Sequence, residues 1–258
     1  MKPVKLIFFD IDGTLFDHAN KQIPDSTRKA LHQLREKGIL LCVATGRPTA
    51  TLPDFGDIHF DIYATFNGCL CFTQEKVIHS DAIGPETVSR IIQNVTDLGR
   101  PISVALADRL VANGVEADLA DYYALAGLEL TTAPDFAESC KEPVYQLMMG
   151  SREEEFPAIL EGTQGVKIAV SWDRAVDVIS ATGGKGTAVE KILEFYGLDK
   201  SQSMAFGDNN NDIEMLQAAG IGVAMGNATK DLKAVADAIC PAVSEDGIYR
   251  FCKEMGPI

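Results

Sequence analysis

No run of about eighteen or more uninterrupted apolar residues occurs in this 258-residue chain, so no segment reads as a membrane-spanning helix. The six cysteines, Cys42, Cys69, Cys71, Cys140, Cys240 and Cys252, form no Cys-x-x-Cys pair and have no histidines at zinc-site spacing. They read as reduced and mostly buried, which suits a reducing cytoplasm. Cys69 and Cys71 alternate in a predicted strand and would share one face, which leaves a vicinal redox role open beside plain packing. Basic residues are in the minority. Lys and Arg number 23 against 37 Asp and Glu, for a formal net charge of −14, and no basic cluster is long enough to track nucleic acid or an anionic membrane. Neither is an expected partner. Export is not expected either, because Met1-Lys2-Pro3-Val4-Lys5 leads into an apolar stretch that stops at Asp10 and Asp12. Internal repeats and low-complexity linkers are also absent.

What is present is enough apolar character, 46%, to bury a sizeable core in one large domain or two modest ones. Val4 to Phe9 is a β-rich apolar run that ends at Asp10. A helix follows, with Asp25 or Ser26 as its expected cap, Ala30, Leu31 and Leu34 on one face, and Gly38 at its left-handed end. Ile39 to Ala44 is a second apolar strand that stops at Thr45-Gly46-Arg47. Strand, helix and strand of this kind predict an α/β fold with a doubly wound parallel sheet covered on both faces. Ligands in such sheets bind beyond the carboxyl ends of the strands, where Asp10 and Thr45 both fall. Asn67-Gly68 signals a hairpin.

From about Ala82 to Thr182 the texture turns α+β, with helices over Glu86 to Leu98 and near Glu153 to Leu160 and strands at Ile102 to Ala105, Val144 to Met149, Val166 to Val170 and Ala175 to Ile179. The alternation of helix and strand resumes at Lys185. This predicts a core made of residues 1–81 and 183–258, with an inserted domain over 82–182.

Asp10-Ile11-Asp12-Gly13-Thr14 puts two carboxylates at the exit of a hydrophobic strand, where uncompensated burial of charge is costly. A solvated acidic turn is the competing reading of that segment alone. A second acidic cluster, Gly207-Asp208-Asn209-Asn210-Asn211-Asp212, also follows an apolar strand directly. If the two strands are parallel neighbours the clusters converge, and hard oxygen donors of this kind suit Mg²⁺. A calcium-binding EF-hand is excluded, because Ile213 and Ala219 stand where that loop needs glycine and glutamate. Lys185, between Gly184 and Gly186 at a helix start, together with Thr45 and Gly46, offers a cation, a hydroxyl and flexible backbone N–H groups. That combination can cradle a phosphate, although the glycine spacing is not that of a Walker loop. For Lys185 alone, a solvated lysine at a glycine-marked helix start is the alternative.

Taken together these segments resemble the haloacid dehalogenase superfamily, in its Cof-type branch of phosphatases with a large α/β cap inserted between the second and third motifs. Asp10 to Thr14 matches the first motif, Thr45-Gly46-Arg47 the second, Lys185 the third, and Gly207-Asp208 with Asn211-Asp212 the fourth. Gly222 to Ala228 and Glu245-Asp246-Gly247 agree further, while Gly184 stands where the branch more often has a small polar residue. The resemblance implies a Rossmann-like core and a cytoplasmic phosphatase, a phosphoric monoester hydrolase acting on a small phosphorylated metabolite such as a sugar phosphate or phosphorylated cofactor. It implies Asp10 as nucleophile and Asp12 as general acid and base. Mg²⁺ would be held by Asp10, Asp208 and the Asp12 backbone carbonyl, with Asp212 orienting that shell from outside. Ile11, Thr45, Gly46, Lys185 and Asn211 would hold the phosphoryl group, and the cap, 82–182, would choose the substrate. A phosphomutase of the same superfamily and a non-catalytic module that senses a phosphometabolite are the alternatives. In the cap, Arg109, Asn113, Trp172 and Arg174 could contact substrate or serve ordinary packing and surface roles.

Overall fold

The structure is a computed structural model that describes residues 3–17, 19–20, 22–125, 127–170 and 172–255. Met1 and Lys2, with which the N-terminal reading began, lie outside them. Contacts between Cα atoms divide the chain into two compact units, one of Met1–Gly46, Pro53–Ser80 and Gly184–Ile258, the other of Arg47–Leu52 and Asp81–Gly183. Among the described residues no helix is long and apolar enough to cross a membrane.

The chain opens with β1 (Leu6–Phe9), α1 (Asp25–Glu36), β2 (Leu40–Ala44), β3 (Ile62–Thr65), β4 (Leu70–Phe72) and β5 (Val77–Ser80). The inserted stretch carries α2 (Pro85–Asp97), β6 (Ser103–Ala105), β7 (Leu110–Ala112), α3 (Ala117–Leu125), α4 (Phe136–Ser139), β8 (Gln146–Gly150), α5 (Phe156–Ile159), β9 (Val166–Ala169) and β10 (Ala175–Ser180). The chain then returns through α6 (Lys185–Tyr196), β11 (Ser203–Gly207), α7 (Ile213–Ala218), β12 (Ile221–Ala224), α8 (Lys230–Val235), β13 (Ala238–Ile239) and α9 (Gly247–Met255).

The first unit is built on an eight-stranded sheet in the order β13-β12-β11-β1-β2-β3-β4-β5. The six strands from β13 to β3 run parallel, and β4 and β5 extend the sheet antiparallel. All four residues of β1 are buried, as a central strand of a sheet covered on both faces requires. α1 covers one face with Ala30, Leu31 and Leu34; each buried leucine contributes roughly 1.5–3 kcal/mol. Its first turn differs from expectation. Pro24 occupies the cap position and no side chain caps the helix, because the ring of Pro24 already presets the entering backbone angle, whereas Asp25 and Ser26 lie inside the helix. The left-handed residue at the other end is Gly38, at φ +72°.

The inserted unit has its own five-stranded antiparallel sheet, in the order β7-β6-β8-β10-β9. Val88, Ile91 and Val95 of α2 pack with Leu147 and Met149 of β8 and Val176 and Val178 of β10 in one apolar core. The alternation along these strands puts that core on one face of the sheet.

Candidate active site

The strand register decides which loops meet. Phe9 of β1 pairs with Phe206 of β11 on one side and Val43 of β2 on the other, and the Phe9 and Phe206 rings stack at 5.3 Å. Each of these parallel strands ends within a residue or two of its pair, so Asp10, Thr45 and Asp208 emerge at one edge of the sheet. The Asp10 backbone N–H donates to the Phe206 carbonyl at 3.0 Å, which carries the alignment one residue beyond the strands.

Lys185, the first residue of α6, reaches this edge and is buried, with 1% of its surface exposed. Its Nζ donates to Asp10 Oδ1 and to Asp212 Oδ1, each at 2.6 Å. Burial opposes the charged ammonium, but the two carboxylates outweigh it and hold the lysine pKa above its ordinary value. Asp212, itself fully buried, accepts at its other oxygen from the backbone N–H groups of Asp208 and Asn209, both at 3.0 Å. Its carboxylate is therefore occupied by one ammonium and two amides, and it holds the loop that carries Asp208 in shape.

Asp208 faces this pair. Its Oδ1 accepts from the Thr14 hydroxyl at 3.0 Å, and a Cβ placed on Gly13 would come within 2.3 Å of its Oδ2. Gly13 has φ +89°, so the turn needs glycine both for its backbone conformation and for room beside the carboxylate. Burial, then Asp212, push the Asp208 carboxyl up to about 7 against the Thr14 hydrogen bond and the Lys185 charge. Burial likewise drives Asp10 well above the usual carboxylate range; Lys185 draws it down while Asp212 and Asp208 push it up. One oxygen each from Asp10, Asp208 and Asp212 lies within 4.8 Å of the others. Three carboxylates thus crowd a single ammonium, and the excess negative charge together with all-oxygen donors fits a hard divalent cation such as Mg²⁺. The half-buried Asp12 lies in the same turn and adds to the charge that Asp208 feels.

The other residues singled out in the sequence lie around this centre. The Ile11 carbonyl accepts from the amides of Thr14, Leu15 and Phe16 at 3.3, 3.0 and 2.7 Å, which folds the first acidic segment into a tight turn. Thr45 is buried, and its backbone N–H donates to Ala64 at 2.8 Å. Gly46 lies against the Asn67 amide, whose nearest atom is 3.1 Å from the position of an added Cβ. Asn211 is exposed and joins the group through Asn67, to which its Nδ2 donates at 3.2 Å. Thr14, Asn67 and Asn227 have no role in the sequence reading, yet Thr14 orients Asp208 and the Asn227 amide donates to the Gly13 carbonyl at 2.8 Å. Thr14 and Asn227 stand inside quoted motifs, which was the available signal; Asn67 was legible only as a turn residue.

In the inserted unit, Asn113 accepts from the Ile102 amide at 2.8 Å and the half-buried Arg109 pairs with Asp108 and Glu142, both ordinary structural roles. Trp172 stacks on Tyr122 at 6.0 Å, with Arg174 over its ring at 4.1 Å. None of the six cysteines forms a disulfide. Cys69 has helical rather than extended backbone angles, and it precedes β4 instead of sharing a strand face with Cys71.

Comparison with known proteins accounts for this constellation. Residues 7–252 match the model of the haloacid dehalogenase-like hydrolases. YkrA of Bacillus subtilis (strain 168), a presumed phosphatase by name, is 32% identical over 260 residues, covering 98% of each chain. From the same organism, the 5-amino-6-(5-phospho-D-ribitylamino)uracil phosphatase YitU is 27% identical and covers 96% of each. The solved structure of the subclass IIB sugar phosphatase BT4131 superposes with a TM-score of 0.89 at 32% identity, over 99% of this chain and all of that one. With its parallel sheet and carboxylates gathered at one edge, the chain belongs to the haloacid dehalogenase-like hydrolases and is a phosphatase of that superfamily.

Proposed function

We propose that this phosphatase hydrolyses the monoester of a small phosphorylated metabolite, a sugar phosphate or phosphorylated cofactor, through a phosphoryl group carried on Asp10. The observation behind this reading is the buried Lys185 held between Asp10 and Asp212 at 2.6 Å each, with Asp208 beside them. A phosphate dianion and an attacking carboxylate repel each other, so such a site must gather positive charge before bonds can change. Lys185 supplies one charge. Asp10, Asp208 and the Asp12 backbone carbonyl would hold Mg²⁺, which when bound neutralises phosphoryl oxygens and ligand carboxylates alike.

Asp10 then attacks phosphorus, the phosphorus–oxygen bond to the leaving group breaks, and Asp12 gives its proton to the departing oxygen. Asp12 next takes a proton from the water that attacks the same phosphorus, freeing Asp10 and inorganic phosphate. Thr45, the Gly46 amide, Lys185, Asn211 and the amides of Ile11 and Asp12 hold the transferring oxygens. Asp212 orients Lys185 and the Asp208 loop. The inserted domain, residues 82–182, has the role of choosing the leaving group. YitU and BT4131, by name, act on a ribityl phosphate and on sugar phosphates, and both are small polyhydroxylated monoesters.

The test is phosphate release from a panel of such monoesters and from an aryl phosphate, with Mg²⁺ and with chelator, for the wild type and for Asp10→Asn. Release that needs Mg²⁺ and falls by at least about 10³-fold in the variant, with an unchanged circular dichroism spectrum, is the expected result. Wild-type turnover by Asp10→Asn removes the nucleophile assignment. An isomerised sugar phosphate with no release of phosphate moves the reading to a phosphomutase, and binding without turnover moves it to a sensor.

A further inference from the structure

The connection between β3 and β4, Phe66 to Cys69, is more contorted than a hairpin needs. Phe66, Asn67 and Gly68 all have positive φ, at 54°, 53° and 90°, in a region that bulky side chains such as phenylalanine seldom occupy and that asparagine and glycine enter most readily. The Asn67 backbone N–H donates to the Thr45 carbonyl at 2.9 Å. Its side chain, 5% exposed, lies against Gly46, and its Oδ1 accepts from Asn211 Nδ2 across 144 positions of sequence. On the far side of the turn, a Cβ on Gly68 would stand 2.5 Å from the Gly184 carbonyl, just before Lys185. One turn therefore touches the three segments that carry Thr45 with Gly46, Lys185, and Asn211.

Asn211 is exposed, and a terminal amide in water rotates and exchanges its two edges easily. A hydrogen bond from one of its N–H groups to a buried, fixed acceptor settles which edge faces which way and leaves its second N–H aimed in a set direction. From this geometry we infer that Asn67 is a positioning residue, which orients the Asn211 amide so that an N–H points at the transferring phosphoryl group. The inference rests on the phosphatase reading above and assigns Asn67 no contact with the reacting atoms.

The test measures the cost of Asn211→Ala in kcat/KM in three backgrounds: wild type, Asn67→Gly and Asn67→Asp. Glycine keeps the left-handed turn without the acceptor, and aspartate keeps both the turn and an acceptor oxygen. Two residues that act through one hydrogen bond are not additive. Asn211→Ala should cost roughly tenfold in the wild type and in Asn67→Asp, the scale of one hydrogen bond, and almost nothing in Asn67→Gly. A purely structural role for Asn67 gives the same cost in all three and overturns the inference. Should Asn67→Gly not fold, Asn67→Ala, which also removes the acceptor, takes its place: loss of the Asn211→Ala cost in that background supports the inference, and an undiminished cost overturns it. Each measurement is made on phosphate release that Asp10→Asn abolishes. Equal costs under that condition defeat only the role of Asn67, whereas release that survives Asp10→Asn defeats the chemistry beneath it.

Discussion

Both units of the chain bury carboxylates, and they treat them in opposite ways. In the first, Asp10 and Asp212 share the buried ammonium of Lys185, and backbone amides take up more of the Asp212 lone pairs. In the second, Asp177 of β10 is 2% exposed and has the Tyr122 hydroxyl at 3.0 Å but no cation within salt-bridge distance among the described residues. Its Oδ1 and the Oε1 of the neighbouring Gln146 have no hydrogen-bond partner among the described residues, and burial lifts its pKa to about 7 despite the Tyr122 and Gln146 contacts. Beside an ammonium, a buried carboxylate has a partner of opposite charge, and Lys185 draws the Asp10 pKa down against the burial that raises it. One without a cation keeps its proton into the neutral range, because burial opposes its charge more than its neutral partners support it. The sheet edge of the first unit sets a buried cation among its carboxylates, and the sheet of the second holds its carboxylate beside neutral partners.

The largest way to break this contrast is Lys185→Met, which leaves Asp10 and Asp212 buried without their cation. Removing one partner of a buried ion pair costs about 3–5 kcal/mol, to be read from urea unfolding, and phosphate release should fall by at least about 10³-fold. Unchanged unfolding would mean that Lys185 is not the charge that permits the burial.

A smaller effect, of opposite character, is expected at Asp177. Its folded pKa lies above the unfolded value near 3.8, so the folded state binds more protons between those limits. The stabilisation is complete below the unfolded pKa and is lost as pH rises through about 7. The loss from this group between pH 5 and pH 8 is roughly 3 kcal/mol. Asp177→Asn cannot ionise, and its amide can donate to Gln146. Thermal or urea unfolding should therefore show the variant gaining on the wild type as pH rises, and a pH-independent difference would contradict the protonated state.

The part of this contrast that was legible in the sequence is the part where chemistry interrupts pattern. A buried apolar strand that ends in Asp10-Ile11-Asp12, and another that ends in Gly207-Asp208, cannot be satisfied by packing alone, so the parallel sheet and the crowding of acids at its edge follow from the same run of residues. Asp177 sits in a plain alternation, Ala175 to Ser180, which gives no sign that Tyr122 of α3 shields it. Asn67 was hidden for a related reason: an Asn-Gly turn looks the same whether or not its amide reaches a partner 144 residues away. Tertiary contacts fix such roles, and local propensity is silent about them. Short pieces such as β7, α3, α8 and α9 carry too few residues to establish a period.

The most direct measurement of the central claim is the location of the phosphoryl group during turnover. Asp12→Ala protein mixed with substrate and Mg²⁺, quenched in acid, digested and mapped by mass spectrometry should carry a hydroxylamine-labile phosphate on the peptide that contains Asp10, because Asp10 can still attack while the water that would free it lacks its base. Phosphate on any other residue, or release by Asp12→Ala at the wild-type rate with an unmodified Asp10 peptide, would contradict the account.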